Sequence, residues 1–283
     1  ADPPAAVDPP PVVALAPVPP PVEVEVAPPP VPAGEREPAD PARLVAEVTA
    51  ELKRLNPGFV GPLVPTVDGG RVVGLHVQGA RLVRNAAPLA RFRHLQQLTA
   101  QGAGFPDLTP LRGLPLRTVS FQNSTTVRDL TPLRGMRLED LNLWAFQGND
   151  LTPLAGMPLR HLNVAGGAVR LDLTPLAGMP LTDLWLTHTK VDDLSPLAGL
   201  PLEVLSVRAT KVTDLSPLRG MPLKALHLVA APVADLSPLV GMPIEVLTLD
   251  YDPQHAEVLR SLPALANVNG KPVDQFWADV GGR

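Results

Sequence analysis

A chain of 283 residues with 45% apolar composition can bury a continuous core, but with aromatics at only 4% that core must be aliphatic. Its net charge of −4 is modest, and the absence of cysteine excludes a disulfide framework, a thiolate zinc site and a cysteine nucleophile. No run approaches the roughly 18 apolar residues that a membrane-spanning helix needs.

Fifteen of the 37 prolines fall within residues 1–41. Stretches such as Pro19-Pro20-Pro21-Val22-Glu23-Val24-Glu25-Val26 favour extended polyproline II and cannot build a core, so residues 1–40 read as a stalk or linker. A ligand for a proline-recognising domain would usually add a basic anchor, which is missing. The chain begins at Ala1 rather than Met, as a processed product or a fragment would. Asp40-Pro41 predicts a helix start, with Asp as N-cap and Pro at the first helical position. Leu44, Val45, Val48, Leu52 and Leu55 then keep helical spacing, and Asn56-Pro57-Gly58 ends the run. Thr66 to Val73, with Gly69-Gly70 at its centre, predicts a hairpin turn. Helix and hairpin together form an expected N-terminal cap over residues 41–71.

Beyond this point the chain repeats. Asp-Leu-(Thr/Ser)-Pro-Leu begins at Asp107, Asp129, Asp150, Asp172, Asp193, Asp214 and Asp235, a period of 21 or 22 residues. Short alternating runs lie between the copies, with lead positions Val72, Leu95, Leu116, Leu138, Leu159, Leu181, Leu202, Leu223 and Ile244. Apolar residues three and five places after each lead predict a strand with one face inward. Most units add an apolar residue ten places after the lead: Phe105, Val191, Val212 and Val233. In the refrain, Thr or Ser before Pro reads as an N-cap and the following Gly as a stop. A unit this short cannot bury its face alone and must stack on its neighbours. The expected fold is an α/β repeat solenoid: a curved parallel sheet over residues 72–252, helical turns on its convex side, and a helical cap over 253–283. All five methionines occupy one repeat position, two before a lead, which predicts gap-filling core rather than soft-metal ligation.

The refrain and its alternating runs resemble the leucine-rich repeat family, in particular the short bacterial type of internalin-like proteins. One departure is the position eight after the lead, often Asn in that family and here Ala103, Ser124, Phe146, Gly167, Thr189, Thr210, Ala231 and Asp252. An Asn ladder is therefore absent, and backbone groups at that bend need other partners. The segments Asn56-Pro57-Gly58-Phe59 and Asn269-Gly270-Lys271-Pro272 with Phe276-Trp277 resemble caps of repeat regions attached to bacterial serine/threonine kinases. The resemblance implies either a free-standing binding module or the sensing region of a larger signalling protein.

Charge is distributed unevenly: residues 71–137 hold ten Arg against Asp107 and Asp129, whereas 138–253 hold seven Lys/Arg against thirteen Asp/Glu. Positions directly after the leads, Gln96, Arg117, Glu139, Arg160, Thr182, Glu203, Lys224 and Glu245, predict a near-alternating charge ladder along one rim. The basic residues fall on that rim, on outer turns or on loops, which argues against nucleic acid as a partner.

Positions two, four and six after the leads face the concave side. In the middle units they hold Asp140, Asn142, Trp144, His161, Asn163, Asp183, Trp185, Thr187 and Arg208, and Trp and Arg are the types enriched at binding hot spots. Further on the rows turn apolar, at Val204, Ala225, Val229 and Val246, a patch that extends the site or lies under the tail. Asp140, His161 and Asp183 share a row, which raises the alternative of a metal-dependent enzyme. No phosphate loop, nucleophile elbow or kinase motif is present. The expectation is a monomeric, non-enzymatic module with a protein partner and no cofactor, nucleic acid or membrane insertion. An extracytoplasmic setting is favoured over the cytoplasm.

Overall fold

The computed structural model describes residues 40–281 except 101, 103, 105, 122 and 124. The stalk expected for 1–39 lies outside the described residues, as do Ala103, Phe105 and Ser124. Helix α1 (Pro41–Leu55) opens at the Asp40 carboxylate, which accepts the Ala42 N–H at 2.9 Å, and buries Leu44, Val48 and Leu52. Strands β1 (Leu63–Asp68) and β2 (Arg71–Val77) pair antiparallel. Eight three-residue strands follow: β3 (Gln97–Thr99), β4 (Thr118–Ser120), β5 (Asp140–Asn142), β6 (His161–Asn163), β7 (Asp183–Trp185), β8 (Val204–Ser206), β9 (Ala225–His227) and β10 (Val246–Thr248). Each is parallel to the one before it, and β2 to β10 are the nine units marked by the lead residues.

The sheet keeps sequence order through all twelve strands. Leu residues at the lead and three and five places on, such as Leu181, Leu184 and Leu186, are fully buried in a single aliphatic core. All five methionines, from Met136 to Met242, are buried in it as well. Strands stay short because the residue seven after the lead turns left-handed, as at Ala145 (φ 72°), His188 (φ 60°), Ala209 (φ 51°) and Ala230 (φ 60°). Peptide groups, rather than an Asn ladder, satisfy this bend in most units, and at Ala230 the Asp250 carboxylate accepts the N–H. Ala145 N–H donates to Ala165 O at 2.7 Å, Gly166 N–H to Thr187 O at 2.7 Å and His188 N–H to Arg208 O at 2.9 Å. The buried hydroxyls of Thr189 and Thr210 donate to Leu186 O and Val207 O at 2.6 Å.

The refrain folds as one 3-10 turn per unit, from Thr109–Leu111 to Ser237–Leu239. The expected cap is corrected here. Thr and Ser hydroxyls do not accept the helix N–H groups; the Asp two residues earlier does. In all seven copies its carboxylate accepts the Thr or Ser backbone N–H at 2.7–2.9 Å. A carboxylate reaches further than a hydroxyl and carries charge, so it satisfies the orphan N–H more strongly.

The two ends are closed differently. At the N-terminal edge β1 carries Pro65 and a bulge between Thr66 and Val67, both of which blunt an open sheet edge. At the other end, helix α2 (Ala256–Ser261) follows a 3-10 turn opened by a capping box of Asp252 and His255. A hairpin that periodicity did not reveal comes next. Strand β11 (Asn267–Val268) pairs parallel with β10, and β12 (Lys271–Pro272) returns antiparallel. Helix α3 (Val273–Gly281) then buries Phe276, and Tyr251 meets Phe276 and Trp277 edge-on at 5.1 and 6.2 Å. No helix among the described residues is long and apolar enough to cross a membrane.

Candidate concave site

Parallel pairing puts the inner residues of β5 to β8 in register. Asp140, His161, Asp183 and Val204 form one row, and Asn142, Asn163, Trp185 and Ser206 the next. Trp144, Ala165, Thr187 and Arg208 follow at the strand ends, two residues beyond that second row. Neighbouring strands lie about 4.8 Å apart, so the nine predicted residues share one face.

His161 sits between two carboxylates, with Nδ1 3.7 Å from Asp140 Oδ2 and Nε2 3.2 Å from Asp183 Oδ2. Partial burial, with the Asp183 charge adding to it, pushes Asp140 above the usual carboxylate range, while His161 opposes that shift. Asp183 is the more enclosed of the two, its side chain 20% exposed, and it accepts the Thr182 hydroxyl at 2.7 Å. The ring nitrogens of His161 point to opposite carboxylates, so the donors do not converge on one point. Among the described residues no group of three or more His, Asp and Glu could hold a metal ion. The metal-dependent alternative therefore lacks a site in this row.

Asn142 and Asn163 serve the backbone first. Their side-chain oxygens accept the N–H of Trp144 at 3.2 Å and of Ala165 at 3.0 Å. These bonds brace the left-handed bend that presents Trp144, which is 42% exposed. The Trp144 indole leans toward β6, and a Cβ at Gly166 would meet its Nε1 at 3.2 Å. Trp185 is half-buried, in a different row and two strands away. The two indoles are thus separate shelves rather than a stacked pair. Thr187 and the buried Ser206 share a hydrogen bond of 2.7 Å.

Three residues outside the predicted set belong to the same surface: Ser206, His227 and Thr248 line up beside Trp185. Burial, and then the positive charge of Arg208, lower the His227 pKa, and its Nδ1 lies 3.1 Å from Thr248 Oγ1. The row rule that found Trp185 also finds them; their small or ordinary side chains simply carried no binding signal. Val204, Ala225, Val229 and Val246 are half-buried, and their main row continues into Asn267.

On the rim, Glu139 pairs with Arg117, and Glu203 with Lys224 at 2.6 Å. Arg91 of the basic half is held by Glu47 of α1 at 2.7 Å. A cavity of about 370 Å³ lies away from the concave rows, where the loops enter the refrain turns, lined by Asn149, Arg170, Asp172 and Asp192 among others. It is bridged by Arg170 and Asp192 at 3.2 Å.

No family model matches the chain. No curated protein matches it either. Among solved structures it is similar to an internalin (inlF) from Listeria monocytogenes, with 25% identity, a TM-score of 0.64, and coverage of 69% of this chain and 59% of that one. Internalin C2 of the same species aligns over 75% of this chain and 93% of its own at 20% identity and a TM-score of 0.43. The chain carries an internalin-like leucine-rich repeat fold. It spans 59% of the length of the inlF internalin.

Proposed function

We propose that the concave face is a protein-binding surface, and that this leucine-rich repeat chain acts as a monomeric, non-enzymatic recognition module outside the cytoplasm. One observation carries the reading. Among the described residues, Trp144 and Trp185 stand on a face with no helix over it, and neither indole N–H has an acceptor. Large aromatics are costly to leave in water, and they dominate binding where they are buried by a partner. The sheet behind them is already rigid, so little conformational entropy is lost when a partner docks. The same surface would serve a free-standing module or the sensing region of a longer signalling polypeptide.

The test is direct. Trp144→Ala and Trp185→Ala, made in the full chain, should each weaken binding of a cross-linked and purified partner by about tenfold or more. The far-ultraviolet circular dichroism should not change, because neither side chain belongs to the core. A double variant that binds normally would overturn the reading.

A further inference from the structure

The carboxylates on the concave face meet only a histidine, where two carboxylates on the rim meet an Arg or a Lys. Arg117 and Glu139, and Lys224 and Glu203, neutralise each other at the rim. One row inward, Asp140 and Asp183 meet His161 and, among the described residues, no Lys or Arg. Arg208 is exposed and makes no ion pair among them; its charge falls on His227 instead.

These groups also have an order. Asp183 and Trp185 alternate along β7, Thr187 follows in the bend beyond it, and the 2.9 Å bond from His188 N–H to Arg208 O places Arg208 beside Thr187 on the next unit. The face therefore runs from carboxylate through indole to guanidinium, the first step being about 6.6 Å along the strand and the second crossing to the next unit. Alternate side chains of an extended polypeptide have that same repeat.

We propose that this face takes an extended segment of a protein partner bearing a basic, an apolar and an acidic side chain at alternate positions. The basic group meets Asp183, with Asp140 behind it across His161. The apolar group lies on the Trp185 indole, and the carboxylate meets Arg208. Either chain direction satisfies the pattern. At an exposed face such pairs select a partner more than they tighten it. The proposal rests on the concave face being the interface.

Four peptides test it by titration against the full chain, with tryptophan fluorescence and the indole N–H resonances as readouts. They are acetyl-Arg-Thr-Leu-Thr-Glu-amide and its Arg/Arg, Glu/Glu and Gln/Gln counterparts. The mixed-charge peptide should bind most tightly, by roughly fivefold over the Arg/Arg form. The Arg208→Glu variant should reverse that preference in favour of Arg/Arg, and Asp183→Asn should abolish the advantage over Glu/Glu. Equal affinities for all four, no saturable change with any, or a preference that Arg208→Glu leaves unmoved would each overturn the proposal. If the peptides fail while the Trp variants still lose the purified partner, the interface stands and only the charge pattern falls. If the Trp variants lose nothing, the interface itself is misplaced.

Discussion

Two residues show how single side chains decide local outcomes here. Asn56 reads in the sequence as a helix stop, yet it is buried and makes four hydrogen bonds. Its amide donates to Leu52 O and Asn85 O at 2.9 Å, and its oxygen accepts the N–H of Arg84 at 2.7 Å and of Asn85 at 2.8 Å. Asn269 performs a similar exchange with Leu249 at the other end. The Asn56→Ala variant leaves Arg84 N–H and both backbone groups of Asn85 without these partners and should cost about 3 kcal/mol in urea unfolding, with amide exchange accelerating in α1 before the repeats. Asp140 works in the opposite direction. Its folded pKa is raised, so ionisation above that pKa opposes folding and stability is recovered as pH falls through it. Asp140→Asn should thus raise the melting temperature slightly at neutral pH and lose that advantage in acid. A variant that melts lower at pH 7 would show that attraction to His161 outweighs burial.

At the scale of one repeat, the refrain stores a pH dependence of the other sign. Hydrogen bonds from the next Thr or Ser hydroxyl, then its backbone N–H, hold Asp129, Asp150, Asp172, Asp193 and Asp214 below their ordinary pKa; at Asp235 the backbone bond leads. Depressed folded pKa values contribute stability that is present above the unfolded value of about 3.9 and lost as pH falls through the folded ones. Thermal stability of the array should therefore drop steeply below about pH 4. Asn keeps the acceptor oxygen but has no charge to titrate, so replacing Asp150, Asp172 and Asp193 with Asn should flatten that acid limb. An unchanged limb would place the titration elsewhere. The Gly that follows each turn has a clear reason for its identity: φ lies between 72° and 77° at all seven, from Gly113 to Gly241.

For the molecule as a whole, stacking makes the ends decisive. Every inner unit buries its faces on two neighbours, whereas β10 would be an open edge without β11 beside it. Truncation after Tyr251 removes β11, β12, α2 and α3 and exposes that edge together with part of the core. Such a chain should retain strand signal but scatter light and elute as aggregates, and a monodisperse monomer would show that the terminal segment is dispensable for closure.

The sequence by itself determined the repeat. A strict period of apolar residues has one economical solution, a stacked sheet, because any other register would expose Leu184 and its equivalents. It also determined which residues face inward, since strand alternation is independent of what covers the face. It misplaced the refrain's cap, because whether a hydroxyl or a carboxylate accepts the N–H depends on backbone angles that composition does not reveal. It missed the β11–β12 hairpin, two residues in each strand being too few for any period to show. Only the tertiary structure decided that Trp144 and Trp185 are separate shelves, that Asn142 and Asn163 serve the bend, and that Arg117 and Lys224 find carboxylates on the rim while Arg208 on the concave face finds none among the described residues. Those outcomes depend on distances between strands some 20 residues apart in sequence, which are set by stacking rather than by any local preference.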